Sequence, residues 1–119
     1  GESVRLFEDQ FVSPSLADSV AEQLTELAER RLGGLWNVCG AEVVSRVQFG
    51  QALCTEFGLD ASRLIPSRLA DAKLKSPRPQ RSGLRTDKAA AQLTARPIGL
   101  GASLARFHQS VQASEGRGA

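Results

Sequence analysis

EDQFVSPSLADSVAEQL, from Glu8 to Leu24, links a short apolar run to an amphipathic one and sets the class of the fold. Ahead of it, Val4, Leu6 and Phe7 suggest a short strand, and Glu8-Asp9-Gln10 reads as an acidic turn. After the turn, Ser13 can cap a helix and Pro14 suits its first turn, where a missing N–H costs nothing. Leu16, Val20, Leu24 and Leu27 recur at helical spacing and make one apolar stripe, with Glu22, Glu26 and Glu29 facing water. Gly33-Gly34 ends the helix by supplying left-handed backbone cheaply. A strand feeding a helix through a polar turn predicts a mixed α/β chain.

The next segments extend that alternation. GLWNVCG, Gly34 to Gly40, is a buried strand candidate bounded by glycines. Ser45 and Gln48 match a capping box, in which each side chain satisfies an otherwise unpaired N–H at a helix start. Phe49, Leu53 and Phe57 form the inner stripe of that second helix, Gly58 stops it, and Gly50 is a mild cost within it. Residues 63–72 read as extended or irregular, with Pro66 fit only for an edge. Residues 73–85 form a basic loop, Thr86 to Leu93 a short helix, and Leu100, Leu104, Phe107 and Val111 the face of a last helix. Residues 113–119 read as a disordered, frayed tail. The expected product is an α/β chain, close to α+β, with about two short strands and four helices over residues 1–112. A doubly wound nucleotide fold needs more strands, so this is a lobe that leans on another domain.

The totals agree with one small unit. The chain has 119 residues, 41% of them apolar, and a net charge of +2. That charge does not call for a polyanionic partner, but its distribution is uneven. Residues 1–30 hold seven acids and two bases, whereas residues 63–88 hold eight bases and two acids. The basic half points to a local surface for an anion. Cys39 and Cys54 have no CxxC partner and only His108 for company, too few ligands for zinc; they read as buried thiols. No run approaches the roughly 20 apolar residues of a membrane span and no signal peptide is visible, so a cytoplasmic location is expected. The chain opens at Gly1, without an initiator, and reads as a piece of a longer protein.

No complete active site can be assembled from these residues. His108 sits late in an amphipathic helix, where a satisfied histidine is the ordinary reading. Neither a GxGxxG turn after a strand nor a GxxxxGK[ST] loop occurs. Glu8 and Asp9 are adjacent acids in a turn, which are usually solvated. No catalytic residue and no metal site is therefore expected.

Three segments together resemble the dTDP-4-dehydrorhamnose reductase family, a group of extended short-chain dehydrogenase/reductases acting on nucleotide sugars. The first resemblance is to a D-Q-x-x-[ST]-P-[ST] pattern with a later acid, carried by Asp9, Gln10, Ser13, Pro14, Ser15, Asp18, Val20 and Ala21. The second is carried by Gly34, Trp36, Asn37, Gly40, Ser45, Arg46, Gln48, Phe49 and Gly50. The third resembles R-P-x-N-S-x-L-D-x-S-K through Arg78, Pro79, Ser82, Leu84 and Lys88, followed by Pro97, Leu100 and Leu104. Arg81, Arg85, Asp87 and Thr94 stand where the family has Asn, Asp, Ser and Gly.

The resemblance implies a carboxy-terminal substrate-binding lobe. The family's glycine-rich cofactor loop and Tyr-x-x-x-Lys pair belong to an amino-terminal Rossmann domain, which would be the lobe's partner and would hold NADPH or NADH. The implied ligand is a nucleotide-diphosphate sugar, and the implied parent reaction is reduction of its 4-keto group. Arg78, between Pro77 and Pro79, is the foremost phosphate contact, because guanidinium meets such oxygens in pairs and the prolines restrict its backbone. Ser45 and Arg46 start a helix, where N–H groups and the dipole favour an anion, although capping explains Ser45 equally well. Gln10 suits a sugar hydroxyl or a turn. Three rival readings are a non-catalytic regulatory module of the same fold, of the kind that accompanies methionine adenosyltransferase, a nucleic-acid binder, and an inert fragment. The second is disfavoured because no aromatic residue is interleaved with the basic run. A lobe without its partner should expose an apolar face and self-associate through it.

Overall fold

The computed structural model describes residues 2–118. Its order is β1 (Val4–Phe7), β2 (Phe11–Val12), α1 (Ala17–Glu29), β3 (Val44–Ser45), α2 (Arg46–Phe57), β4 (Leu64–Ser67), α3 (Asp87–Gln92) and α4 (Leu100–Gly118). Short 3-10 turns, Ala61–Arg63 and Leu69–Ala72, flank β4. The four α-helices are those expected, and the strands are four short ones in two pairs. β1 runs parallel to β4, with Val4 opposite Leu64 and Leu6 opposite Pro66. In a two-stranded sheet every strand is an edge, so Pro66 finds the position it needs. β2 runs antiparallel to β3, with Phe11 opposite Ser45.

The second helix follows its sequence signals closely. The Ser45 hydroxyl accepts the Gln48 N–H at 3.1 Å while the Gln48 side chain accepts the Ser45 N–H at 2.8 Å. Gly58 closes the helix with a left-handed φ of 67°. Its inner face meets α4: Val44, Leu100 and Leu104 are buried together, with Phe49, Ala52 and Leu53 packed against them. His108 of α4 approaches Glu56 of α2 at 3.0 Å and stacks on Phe57, so it is satisfied as expected. Both cysteines are buried and unpaired.

Other local expectations need correction. Ser13 does not cap α1. Its hydroxyl accepts the Leu84 N–H at 2.9 Å, and the helix begins at Ala17 without a side-chain cap. The helix also ends at Glu29, before Gly33-Gly34, with Arg31 taking the left-handed conformation. The face of α1 turned inward holds Ser19 and Gln23, whereas Leu24 is 52% exposed. Glu26 does not simply face water. Its carboxylate accepts the N–H groups of Thr94 and Ala95 at 2.9 and 2.7 Å and pairs with Arg30. These bonds, Ala95 foremost, lower its pKa from the ordinary value of 4.5.

GLWNVCG is not a strand. Gly40 lies so near Pro14 that a Cβ would fall 2.0 Å from the proline carbonyl oxygen, and the Gly40 N–H goes to the Ser15 hydroxyl. The following Ala41 N–H goes to the Ile98 carbonyl. The segment's hydrogen bonds are thus spent on loops, while Leu35 projects outward at 86% exposure. Trp36 is held beneath Lys88, whose ammonium lies 4.2 Å from the ring centre and bonds the Leu35 carbonyl. At the other end, α4 continues through residues 113–118, where fraying was expected, and Ala119 lies outside the described residues. No helix among the described residues is long and apolar enough to cross a membrane.

Candidate functional site

Residues 8–15 form a spine to which every other segment of the site is tied. The Glu8 N–H goes to the Ser67 carbonyl, and the Asp9 carboxylate accepts the Leu69 N–H at 3.0 Å, so the end of β4 is fixed beside the turn. Phe11 donates its N–H to the Gln80 carbonyl and accepts the Ser82 N–H, which lays residues 80–82 along β2 like a further strand. Ser13 holds Leu84 and Ser15 holds Gly40. The end of the basic loop, residues 80–84, is therefore strapped to the fold by hydrogen bonds to Phe11 and Ser13. Asp9, expected as a solvated acid, has a side chain only 15% exposed and is a structural hub.

The same spine organises three arginines in different ways. Arg68 pairs with Glu8 at 3.3 Å and lies 4.0 Å from Asp9. Arg81 lies over the Phe11 ring, 4.7 Å from its centre. Arg46 donates its backbone N–H to the Gln10 carbonyl at 3.1 Å and its side-chain Nε–H to Gln10 Oε1 at 2.7 Å. Among the described residues, neither Arg46 nor Arg81 has a carboxylate within salt-bridge distance.

Gln10, Ser45 and Arg46, three of the four residues singled out from sequence, are thus brought together where β2 meets the start of α2. Gln10 and Ser45 are each only 5% exposed, and the hydroxyl of Ser45 is engaged in its capping box. Arg46 is exposed. Arg78, the fourth, stands apart from this trio on the loop, two residues before the strapped Gln80. With Leu69, Lys73, Leu74, Pro77 and Gln80 it lines a recess of about 430 Å³. Sequence reading tied neither Arg68 to Asp9 nor Arg81 to Phe11; the basic character of both was visible, but nothing in the pattern assigned those partners.

Residues 1–113 match the family described as RmlD substrate binding domain. The chain belongs to this family. Its relatives include a probable low-salt glycan biosynthesis reductase, Agl14, of Haloferax volcanii, 36% identical over 84 residues that make up 71% of this chain and 28% of the relative. The RmlD-type fold also superposes on dTDP-4-dehydrorhamnose reductase from Bacillus anthracis in complex with NADP, with a TM-score of 0.81 and 16% identity, over 92% of this chain and 39% of that one. For the reductase from Yersinia enterocolitica the TM-score is 0.77 and the identity 18%, over 90% of this chain and 37% of that one. At these identities the superpositions establish a shared fold. The RmlD-type domain spans less than two fifths of the length of each of these proteins.

Two further features of the RmlD-type domain bear on its chemistry. The parallel strands lead into no glycine-rich turn: β1 runs into Glu8-Asp9, and β4 into Arg68 and a 3-10 turn. The ends of these strands therefore lack the glycine-rich turn that cradles a dinucleotide's phosphates. Second, Pro14, Leu16, Phe49, Leu53, Leu104 and Phe107 line an apolar groove of about 520 Å³ over the α2–α4 core. Phe107 is 45% exposed there.

Proposed function

We propose that this domain binds the diphosphate of a nucleotide sugar, as part of an NAD(P)H-dependent reductase. The observation that carries this reading is the strapping of Gln80–Ser82 onto β2, which ties the loop carrying Arg78 to the spine that also holds Arg46. Residues 78–82 are exposed, so a ligand can reach the anchored loop. Arg46 and Arg78 are the proposed contacts to diphosphate oxygens, which guanidinium groups meet with paired, charge-assisted bonds. Ser45 contributes through its cap, which fixes the first turn of α2 beneath the anion. The likeness of the fold to dTDP-4-dehydrorhamnose reductases supports a deoxythymidine nucleotide as the first ligand to try.

The nicotinamide coenzyme, which would supply hydride to a 4-keto sugar, is assigned to a Rossmann domain elsewhere in the longer protein. This domain's own task is to orient the sugar nucleotide for that transfer, a large effect when two reactants must meet. The apolar groove beside Phe107 is the proposed face for that Rossmann domain, and in its absence for a second copy of this chain. A cytoplasmic setting fits the use of soluble nucleotide sugars. The test is NADPH consumption by the full-length gene product with a 4-keto dTDP-sugar. Turnover that falls in Arg46→Ala and Arg78→Ala is expected. A protein that binds the sugar nucleotide yet never oxidises NADPH or NADH would place the domain in a non-catalytic module.

A further inference from the structure

We propose that Gln10 is a positioning residue that holds the Arg46 guanidinium with a neutral acceptor, so that its charge and terminal amino groups stay available to the diphosphate. This rests on the reading of the domain as a diphosphate-binding lobe. At 5% exposure, Gln10 is too deeply buried to present itself to a sugar hydroxyl. Its side-chain oxygen is already taken by Arg46 Nε at 2.7 Å. The bond is made to the one nitrogen that leaves both terminal amino groups of the fork unspent.

The choice of partner matters because the alternatives are on show in the same molecule. Arg30, Arg68, Arg85 and Arg106 are each paired with a carboxylate, which sets an opposite charge beside the guanidinium. An amide oxygen fixes the side chain and cancels almost nothing. The backbone N–H of Arg46 bonds the Gln10 carbonyl as well, and Ser45 stands opposite Phe11 in the β2–β3 pair. Strand register, helix cap and amide clamp thus hold both ends of one arginine. Side-chain entropy that a flexible arginine would lose on binding has been removed beforehand.

The decisive substitution is Gln10→Glu, nearly isosteric, which turns the neutral clamp into an ion pair. The full-length gene product is titrated with dTDP, and with thymidine as the uncharged control, and each variant is melted in parallel. Gln10→Glu is expected to hold or raise the melting temperature while weakening dTDP binding about tenfold, the size of one lost charge-assisted contact. Gln10→Met, which removes the acceptor and keeps the volume, is expected to weaken dTDP binding less than Gln10→Glu does. Affinity that merely follows melting temperature across the variants would reduce Gln10 to a packing residue and overturn the proposal. So would wild-type dTDP affinity in Gln10→Glu, with the diphosphate reading left standing. Failure of the wild-type protein to bind dTDP at all would remove both.

Discussion

Gly50 of α2 lies directly against Leu6 of β1, where a Cβ would stand 2.5 Å from the leucine Cδ1. The same Cβ would meet Leu64 of β4 at 3.2 Å. The helix crosses the parallel pair through this one absent side chain. Gly50→Ala should gain about 1 kcal/mol of helix propensity and lose more than that, within the range of about 1–3 kcal/mol known for overpacking. Urea denaturation is expected to show net destabilisation, partly recovered when Leu6→Ala makes room. A Gly50→Ala chain more stable than wild type would mean that α2 does not rest on β1 and β4 in this way.

Glu26 links stability to pH through α1. Its carboxylate is preferred in the folded state, where the Ala95 and Thr94 N–H groups and Arg30 lower its pKa below 4.5. A lowered folded pKa gives a contribution that is complete above the unfolded value and disappears as pH falls through the folded one. Wild type is therefore expected to melt higher than Glu26→Gln at pH 7, with the gap closing as the pH drops below about 4.5. Melting curves across that range check it; a gap independent of pH would contradict it.

How much of this was legible beforehand depends on where each segment's hydrogen bonds go. The capping box of Ser45 and Gln48, the stop at Gly58 and the edge position of Pro66 are local devices, and each was readable from its own neighbours. GLWNVCG failed as a strand because Gly40 bonds Ser15 and Asn37 bonds Arg85, partners that no local pattern announces. Ser13 failed as a cap for the same reason, its hydroxyl being claimed by Leu84. Both errors trace to the spine at residues 8–15, whose partners lie far away in sequence. Gln10, Ser45 and Arg46 were singled out through a family resemblance; that Gln10 bonds Arg46, and that it faces inward, needed the fold.

The apolar groove carries its own consequence. Phe107, at 45% exposure, and the neighbouring Leu53 and Leu16 leave a face unfilled within this chain. Exposed surfaces of this kind drive association. The isolated 119-residue chain is expected to self-associate in a concentration-dependent way, and Phe107→Ser to shift it toward monomer. Light scattering after size exclusion reads both. A strict monomer at millimolar concentration would show that the groove needs no cover.

This domain is proposed to grip diphosphate with Arg46, held by Gln10, and with Arg78 on the loop anchored at Gln80 and Ser82. The most direct test is calorimetric titration of the full-length gene product with dTDP, comparing wild type with Arg46→Ala and Arg78→Ala at two salt concentrations. Each variant is expected to bind about tenfold or more weakly, with a smaller loss of affinity as salt rises, and Arg78→Ala to keep the wild-type melting temperature. Equal dTDP binding by wild type and both variants would contradict the account, as would tight, salt-sensitive binding of single-stranded DNA without any response to dTDP.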